Sequence, residues 1–591
     1  MKQIKLEPHL TRRSTHYSKD DPAVPAELFT VKNDSPDFAG INYPLPNAKD
    51  DYTAMLKTGG VTWLASYKGI TRYDPDAAFS FDRVMYFTKD RDLTDSGIKA
   101  MLPAENGIWA LTGDGVTLIE LIMMTPEEIC RAHLDETLKY VDRHGMVSQR
   151  WLREPRNLDS IYPYGDSDND GGFTSKFSIG EIFRYACFKR DYGENDPRTV
   201  EAKEAAIRAT EACLLLMYVH GRGNGFVART YILSDAPTPD DGLFFRRQGN
   251  QAYCLETTEA KNRGIVGLRI DCSSPIPERL RHLFTDDGYT EDDIIYKADT
   301  SSDEITLQFL NLLAAHRHLT EDDPELDAII KDAVSRVVSH IIDNGFILTD
   351  YSGLSTTWAK WNEEYFNTED GYVDAALNSA EMLFFLKVAM EITGEEGKWL
   401  ETYNYLVNER GYADLTTKHA ERLQQFCIAT DTEFNENIMY GDHMLASAAL
   451  TGLCLLEKDE ALLKKYRYGY KAWRSTIAGE HNPGYDFMYI LSCPDETIEE
   501  DRVKEWFARH NISRLAAGVG LVGRHDIPIA ATKHGYKQCS SLVPPDERFI
   551  SKYDRDSLEY KNEDSGGIYC IESAYVYNYA YWIGKYFGII Y

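Results

Sequence analysis

Asp166, Asp168 and Asp170 stand at alternate positions in YGDSDNDGGFTSK and are followed at once by Gly171 and Gly172. Carboxylates spaced in this way have three readings: ligands of a calcium loop, acids and bases of a catalytic turn, or a polar cap on the next helix. An EF-hand loop needs a bidentate glutamate at its twelfth position. Counted from Asp166, that position is Phe177, so calcium is disfavoured, and no other metal or cofactor is expected. A cap uses one hydroxyl, from Thr174 or Ser175, and leaves the carboxylates for a ligand, which the glycines let the backbone approach closely.

Other loops leading into apolar helices carry similar groups. ADTSSDEITLQF, with the preceding Lys297, brings together Lys297, Asp299, Asp303 and Glu304. Acids in a first helical turn suit the helix dipole, and Ser301 or Ser302 suits the cap. GLSTTWAKWNEEYFN offers Trp358 and Trp361, MYGDHMLAS offers Asp442 and His443, and EHNPGYDF offers His481, Tyr485 and Asp486. Arginines stand at Arg229, Arg246, Arg247 and Arg524. Aromatic faces pack on the C–H surface of sugars, carboxylates accept hydroxyl protons, and guanidinium groups pair with uronate carboxylates. Each histidine taken singly is more often a structural group than a catalyst. Their shared position at helix starts directs attention to a carbohydrate site, with Asp170, His443, Asp303, Glu304 and Tyr485 expected to act in chemistry. Arg229, Lys297, Asp168, Asp299, Trp358, Trp361 and His481 are expected to hold substrate.

The elements that must position these residues change character at Thr125. Beyond it the apolar period is 3.6, with helical segments at 127–141, 174–188, 199–217, 301–316, 323–343, 377–391, 397–409, 440–455, 458–478, 484–492, 500–516 and 568–588. Some, such as ELDAIIKDAVSRVVSHIIDNG, have one charged face, whereas NSAEMLFFLKVAM and DHMLASAALTGLCLL are apolar almost all round. Alternation of the two kinds predicts a mainly α fold, an (α/α)6 toroid over residues 125–591. Ahead of it, the segment beginning at Trp63 recurs 46 residues on at Trp109, with Gly69 matching Gly115 and Thr71 matching Thr117. That length and alternation predict two propeller-like blades over 48–124, a β unit acting as a structural cap, preceded by an arm over 1–47.

Composition sets the outer bounds. The 591 residues include 94 acidic and 64 basic ones, a formal net charge of -30, so a nucleic-acid partner is not expected. No run of about 18 apolar residues appears, so no membrane span is expected. The N-terminal stretch has no apolar core of a secretory signal, and the ten cysteines include no C-x-x-C pair, which together point to the cytoplasm.

The blades together with DNDGGFTSKFSIGEIFRYA, ADTSSDEITLQF, DNGFILTDYSGLSTTWAKW and LNSAEMLFFLKVA resemble a family of bacterial carbohydrate-active proteins, the lyases that cleave L-rhamnose-α-1,4-D-glucuronate ends. The likeness spans roughly residues 48–390, and Gly172-Phe173 departs from the apolar-Trp pair of that family's turn. It implies β-elimination on a uronate-containing oligo- or polysaccharide; that chemistry needs a base, for which His443 or Tyr485 is the candidate, and a cation to neutralise the substrate carboxylate, for which Arg229 or Lys297 is. Two alternatives stay open. One is a glycoside hydrolase using Asp170 with Asp303 or Glu304, and the other is a glycan-binding protein without chemistry.

Overall fold

The computed structural model describes residues 3–89, 91–165, 168–548, 552–561 and 567–591; Asp166 lies outside them. Among the described residues the chain forms seventeen α-helices and six antiparallel sheets. This corrects the expected fold class, a mainly α (α/α)6 toroid with two propeller blades. A five-stranded sheet interrupts the helices, in the spatial order Tyr231–Leu233, Ile294–Lys297, Phe244–Gln248, Gln251–Cys254, Arg269–Asp271, and no described sheet closes into a barrel or propeller. These strands are three to five residues long and several are buried on both faces, so they lack the polar alternation that marks a strand in a sequence. The absence of any helical pattern between 217 and 301 was the available sign, since a structureless stretch of that length is uncommon inside a domain.

The N-terminal repeat becomes two four-stranded sheets. Trp63 lies in Val61–Ser66, opposite Arg72, and Trp109 lies in Gly107–Leu111, opposite Leu118. The segment read as an N-terminal arm contributes a strand to this unit. His9–Tyr17 pairs along the whole of Val116–Met124 and completes the second sheet. The two sheets share one core of Trp63, Phe87, Met101, Ile108 and Ile119. Gly69 is required at its turn: its φ is +142°, and a Cβ there would stand 2.2 Å from the carbonyl oxygen of Phe87.

The change of period at Thr125 is a capping box. Thr125 accepts from the Glu128 amide, and the Glu128 carboxylate accepts from the Thr125 amide at 2.7 Å. Every helical segment read from the sequence contains a helix. The apolar ones, Asp170–Tyr192, Ser302–His318, Glu369–Thr393, Tyr440–Leu456, Pro483–Ser492 and Tyr575–Tyr586, each touch the next, and the last touches the first. Amphipathic helices such as Pro324–Asp343 and Glu460–Ile477 flank them, with their apolar stripes turned inward. Close approach needs small residues at the crossings. A Cβ at Gly452 would meet the Phe384 ring at 2.0 Å, and one at Gly171 would meet Glu304 Oε2 at 2.3 Å.

That last contact corrects the cap expected at Thr174 or Ser175. The helix starts four residues earlier, at Asp170, and Thr174 Oγ1 accepts from the Val147 amide at 2.9 Å. Gly171 brings two helices together rather than a ligand to the backbone. Position 177 is buried within this helix.

Candidate active site

Four apolar helices begin at the border of one cavity of about 640 Å³. Asn169 immediately precedes the first, Ser301 to Asp303 open the second, Asp374 and Asn378 belong to the early turns of the third, and Tyr440 to Asp442 open the fourth. Trp358, from the strand Ser355–Lys360, stands in the wall with 51% of its surface exposed. The opposite wall carries Tyr536, Asp554, Arg555, Asp556 and Glu559. Unpaired backbone amides at helix starts favour negative charge, which accounts for carboxylates gathering here.

Three of those carboxylates face one another across the helix starts and differ in how they are held. Asp303 lies 3.5 Å from Arg229 Nη2, and its other oxygen, Oδ1, is buried without a hydrogen-bond donor among the described residues. Asp374 accepts the Tyr365 hydroxyl at 2.5 Å, and burial pushes its proton affinity up. Asp442 is held by no donor among the described residues. Burial, with the charges of Asp374 and Asp303 nearby, pushes its carboxyl up to about 8. Beneath them the fully buried Glu381 accepts from Thr306 Oγ1 at 2.7 Å and Trp361 Nε1 at 2.8 Å, and burial raises it to about 8 as well. Across the cavity Asp556 accepts from the Tyr536 hydroxyl and Gln538, and burial raises it to about 6. An acid protonated at neutral pH beside an arginine-paired carboxylate is the arrangement that general acid–base chemistry needs.

Of the residues expected to act in chemistry or to hold substrate, Asp303, Arg229 and Trp358 line this cavity, together with Asp442, Ser301 and Ser302, which were noted only for their places at helix starts. The others sit elsewhere. Asp170 is buried in a clamp, accepting from the Arg143 guanidinium, the Thr230 hydroxyl and Ser148 Oγ at 2.5 Å. His443 turns inward: its Nδ1 meets the Met439 carbonyl at 2.9 Å, its ring packs edge-on to Trp473, and burial pulls it down to about 4. The Tyr485 hydroxyl donates to the Tyr553 carbonyl in a buried site, and His481 lies 3.9 Å from Glu499. Lys297 is fully buried, 2.6 Å from Asp168 and 4.0 Å from Asp299. Trp361 is enclosed against Glu381 rather than presented to a ligand. Glu304 is buried against Gly171. Asp168 and Asp299 therefore serve a lysine-centred network behind the helix starts. The remaining arginines are committed as well, Arg247 to Glu291, Arg246 to Asp293, and Arg524 to Asp526 and Glu547.

Asp374, Glu381, Asp554 and Asp556 escaped the sequence reading, and Asp442 was passed over for its neighbour. Glu381 had a signal, an acid within the apolar run LNSAEMLFFLKVA. Asp374 and Asp442 each precede such a run; Asp554 and Asp556, in an ordinary polar loop, carried no signal. Among the described residues no group of three or more His, Cys, Asp or Glu is placed to hold a metal ion, and no helix is long and apolar enough to cross a membrane. Comparison with protein-family models, with curated proteins and with solved structures finds no match. The resemblance to rhamnose–glucuronate lyases rests on the quoted motifs alone.

Proposed function

We propose that the chain is a glycoside hydrolase, with Asp442 as general acid and Asp303, oriented by Arg229, as its carboxylate partner. The observation that carries this reading is the meeting of Asp303, Asp374 and Asp442, from the first turns of three helices, on one cavity, with Asp442 bound by no donor among the described residues. A carboxyl kept protonated can hand its proton to a leaving glycosidic oxygen, while the ionised partner activates water or attacks the sugar directly. Trp358 supplies a face for a sugar ring. Asp374, tied to Tyr365, supports the raised value of Asp442 through its charge.

β-Elimination on a uronate is the weaker reading. Its expected bases lie outside the cavity lining, and burial raises Tyr440, which does line it, far above the range of a useful base. Ten free thiols, nine of them buried, support a reducing compartment and hence the cytoplasm.

The test is digestion of defined oligosaccharides by the full chain, following both reducing ends and the ultraviolet absorbance of a conjugated double bond. Release of reducing ends without that absorbance, lost in Asp442→Asn and in Asp303→Asn, is the expected result. Conjugated product, or turnover unchanged in both variants, would overturn the reading.

A further inference from the structure

We infer that this cavity takes a sugar carrying a free ammonium group, of the glucosamine type, with Asp554 as the carboxylate that receives it. The inference rests on the hydrolase reading for its chemistry but on different residues for its evidence. Asp554 stands in the wall opposite Asp303 and Asp442. Its side chain is only 10% exposed, and Oδ1 is buried with no hydrogen-bond donor among the described residues. The cation paired with Oδ2 is Arg555 at 3.8 Å, whose side chain is 63% exposed. Behind Asp554, the Lys176 amine is pressed between the rings of Tyr553 and Tyr579, 4.1 and 4.5 Å from their centres, and burial lowers it to about 7. It offers Asp554 only a fraction of a positive charge at neutral pH. A buried carboxylate oxygen in this state is an acceptor waiting for a donor.

The rest of the lining says which donor. Carboxylates outnumber the two guanidinium groups; Arg229 is already committed to the Asp168 carbonyl and to Asp303, and Arg555 extends into solvent 3.8 Å from Asp554. Glu436 is satisfied by Thr532 and the His534 amide, Asp556 by Tyr536 and Gln538, and Glu559 by Lys561 at 2.8 Å. The open acceptors are therefore on Asp303 and Asp554, with the protonated Asp442 beside them. They are too dispersed to converge on one metal ion. Spread around a cavity with an exposed tryptophan face, they fit a cation carried on an extended ring, and they repel a uronate carboxylate.

The experiment is isothermal titration of the full chain with methyl β-glucosaminide, its N-acetylated counterpart and methyl glucuronide at one pH and low salt. The amine should bind about tenfold tighter than the N-acetyl compound, and the glucuronide should bind weakest, as like charge requires. Asp554→Asn should bring the amine and N-acetyl affinities together, to within about threefold, with an unchanged thermal midpoint. Equal affinities, a preference for glucuronide, no binding of the amine, or a preference that survives Asp554→Asn would overturn the inference. Turnover of β-linked glucosamine oligosaccharides is measured separately. An amine preference without hydrolysis would sink the hydrolase reading alone, and hydrolysis of neutral glycans without an amine preference would sink this inference alone.

Discussion

Two acid-rich regions of this molecule use the same residue types to opposite ends. Between the N-terminal sheets and the helices, Asp546 and Glu547 are buried in a knot with three arginines. Arg12 reaches Asp546 at 2.8 Å, Arg509 reaches Asp546 at 3.0 Å and Glu547 at 2.7 Å, and Arg524 reaches Glu547 at 2.9 Å. The Tyr86 amide adds a bond to Glu547 at 3.0 Å. Burial alone would raise Asp546, but Arg12 and Arg509 overcome it and hold the carboxyl below its usual range. At the cavity Asp442 keeps a half-buried carboxyl with no cation paired to it, so burial, helped by the charges of Asp374 and Asp303, prevails and Asp442 rises. A buried acid is structural where its charge is matched by neighbouring cations; left unmatched, it becomes a proton donor.

The sharpest way to break this comparison is Asp442→Asn. Turnover should fall on the order of 100 to 10,000-fold, as for loss of a general acid. Stability should move the other way. A carboxyl whose folded value is raised contributes stability that is full below its unfolded value of about 4 and is lost as pH rises towards 8. At neutral pH the amide removes that burden, so the thermal midpoint of the variant should rise. A fall in both quantities would make Asp442 a structural acid like those of the knot.

Arg509→Met tests the other half. Leaving Asp546 and Glu547 buried with fewer partners should cost on the order of 3–5 kcal/mol in chemical denaturation, with turnover per folded molecule kept. The sign of the pH dependence is also reversed here. Asp546 has a lowered folded value, so its contribution is present above about pH 4 and lost as pH falls through the folded value, and the variant should lose that acid limb. A loss below about 1 kcal/mol would show the knot to be no stronger than surface pairs.

The smallest effect is expected at His443→Gln. The ring is neutral, enclosed by Trp473 and bonded to a backbone carbonyl, so its loss should cost about 1 kcal/mol of stability and leave turnover within about threefold. A large fall in turnover would return His443 to the site and weaken the assignment of Asp442.

These two neighbours also show what the sequence could and could not tell. The run MYGDHMLAS marks a helix start correctly, yet successive residues on a helix point about 100° apart, so one faces the cavity and the other the core. Choosing between them requires the phase of the helix, which the surrounding chain sets. Helix positions were legible because burial on one face repeats every 3.6 residues. The five-stranded sheet was hidden because strands as short as Tyr231–Leu233, buried on both sides, carry no period of their own. Asp170 misled for a related reason. Its alternation with Asp168 looked like a ligand set, whereas its partners Arg143 and Thr230 lie 27 and 60 residues away and only the fold brings them in.

The most direct test needs no substrate. An infrared difference spectrum between the native chain and Asp442→Asn isolates the Asp442 carboxyl from Glu381 and the other buried acids. A protonated-carboxyl band that persists at neutral pH and disappears near pH 8 is the predicted result. A band that vanishes near the ordinary aspartate value of about 4 would contradict the account.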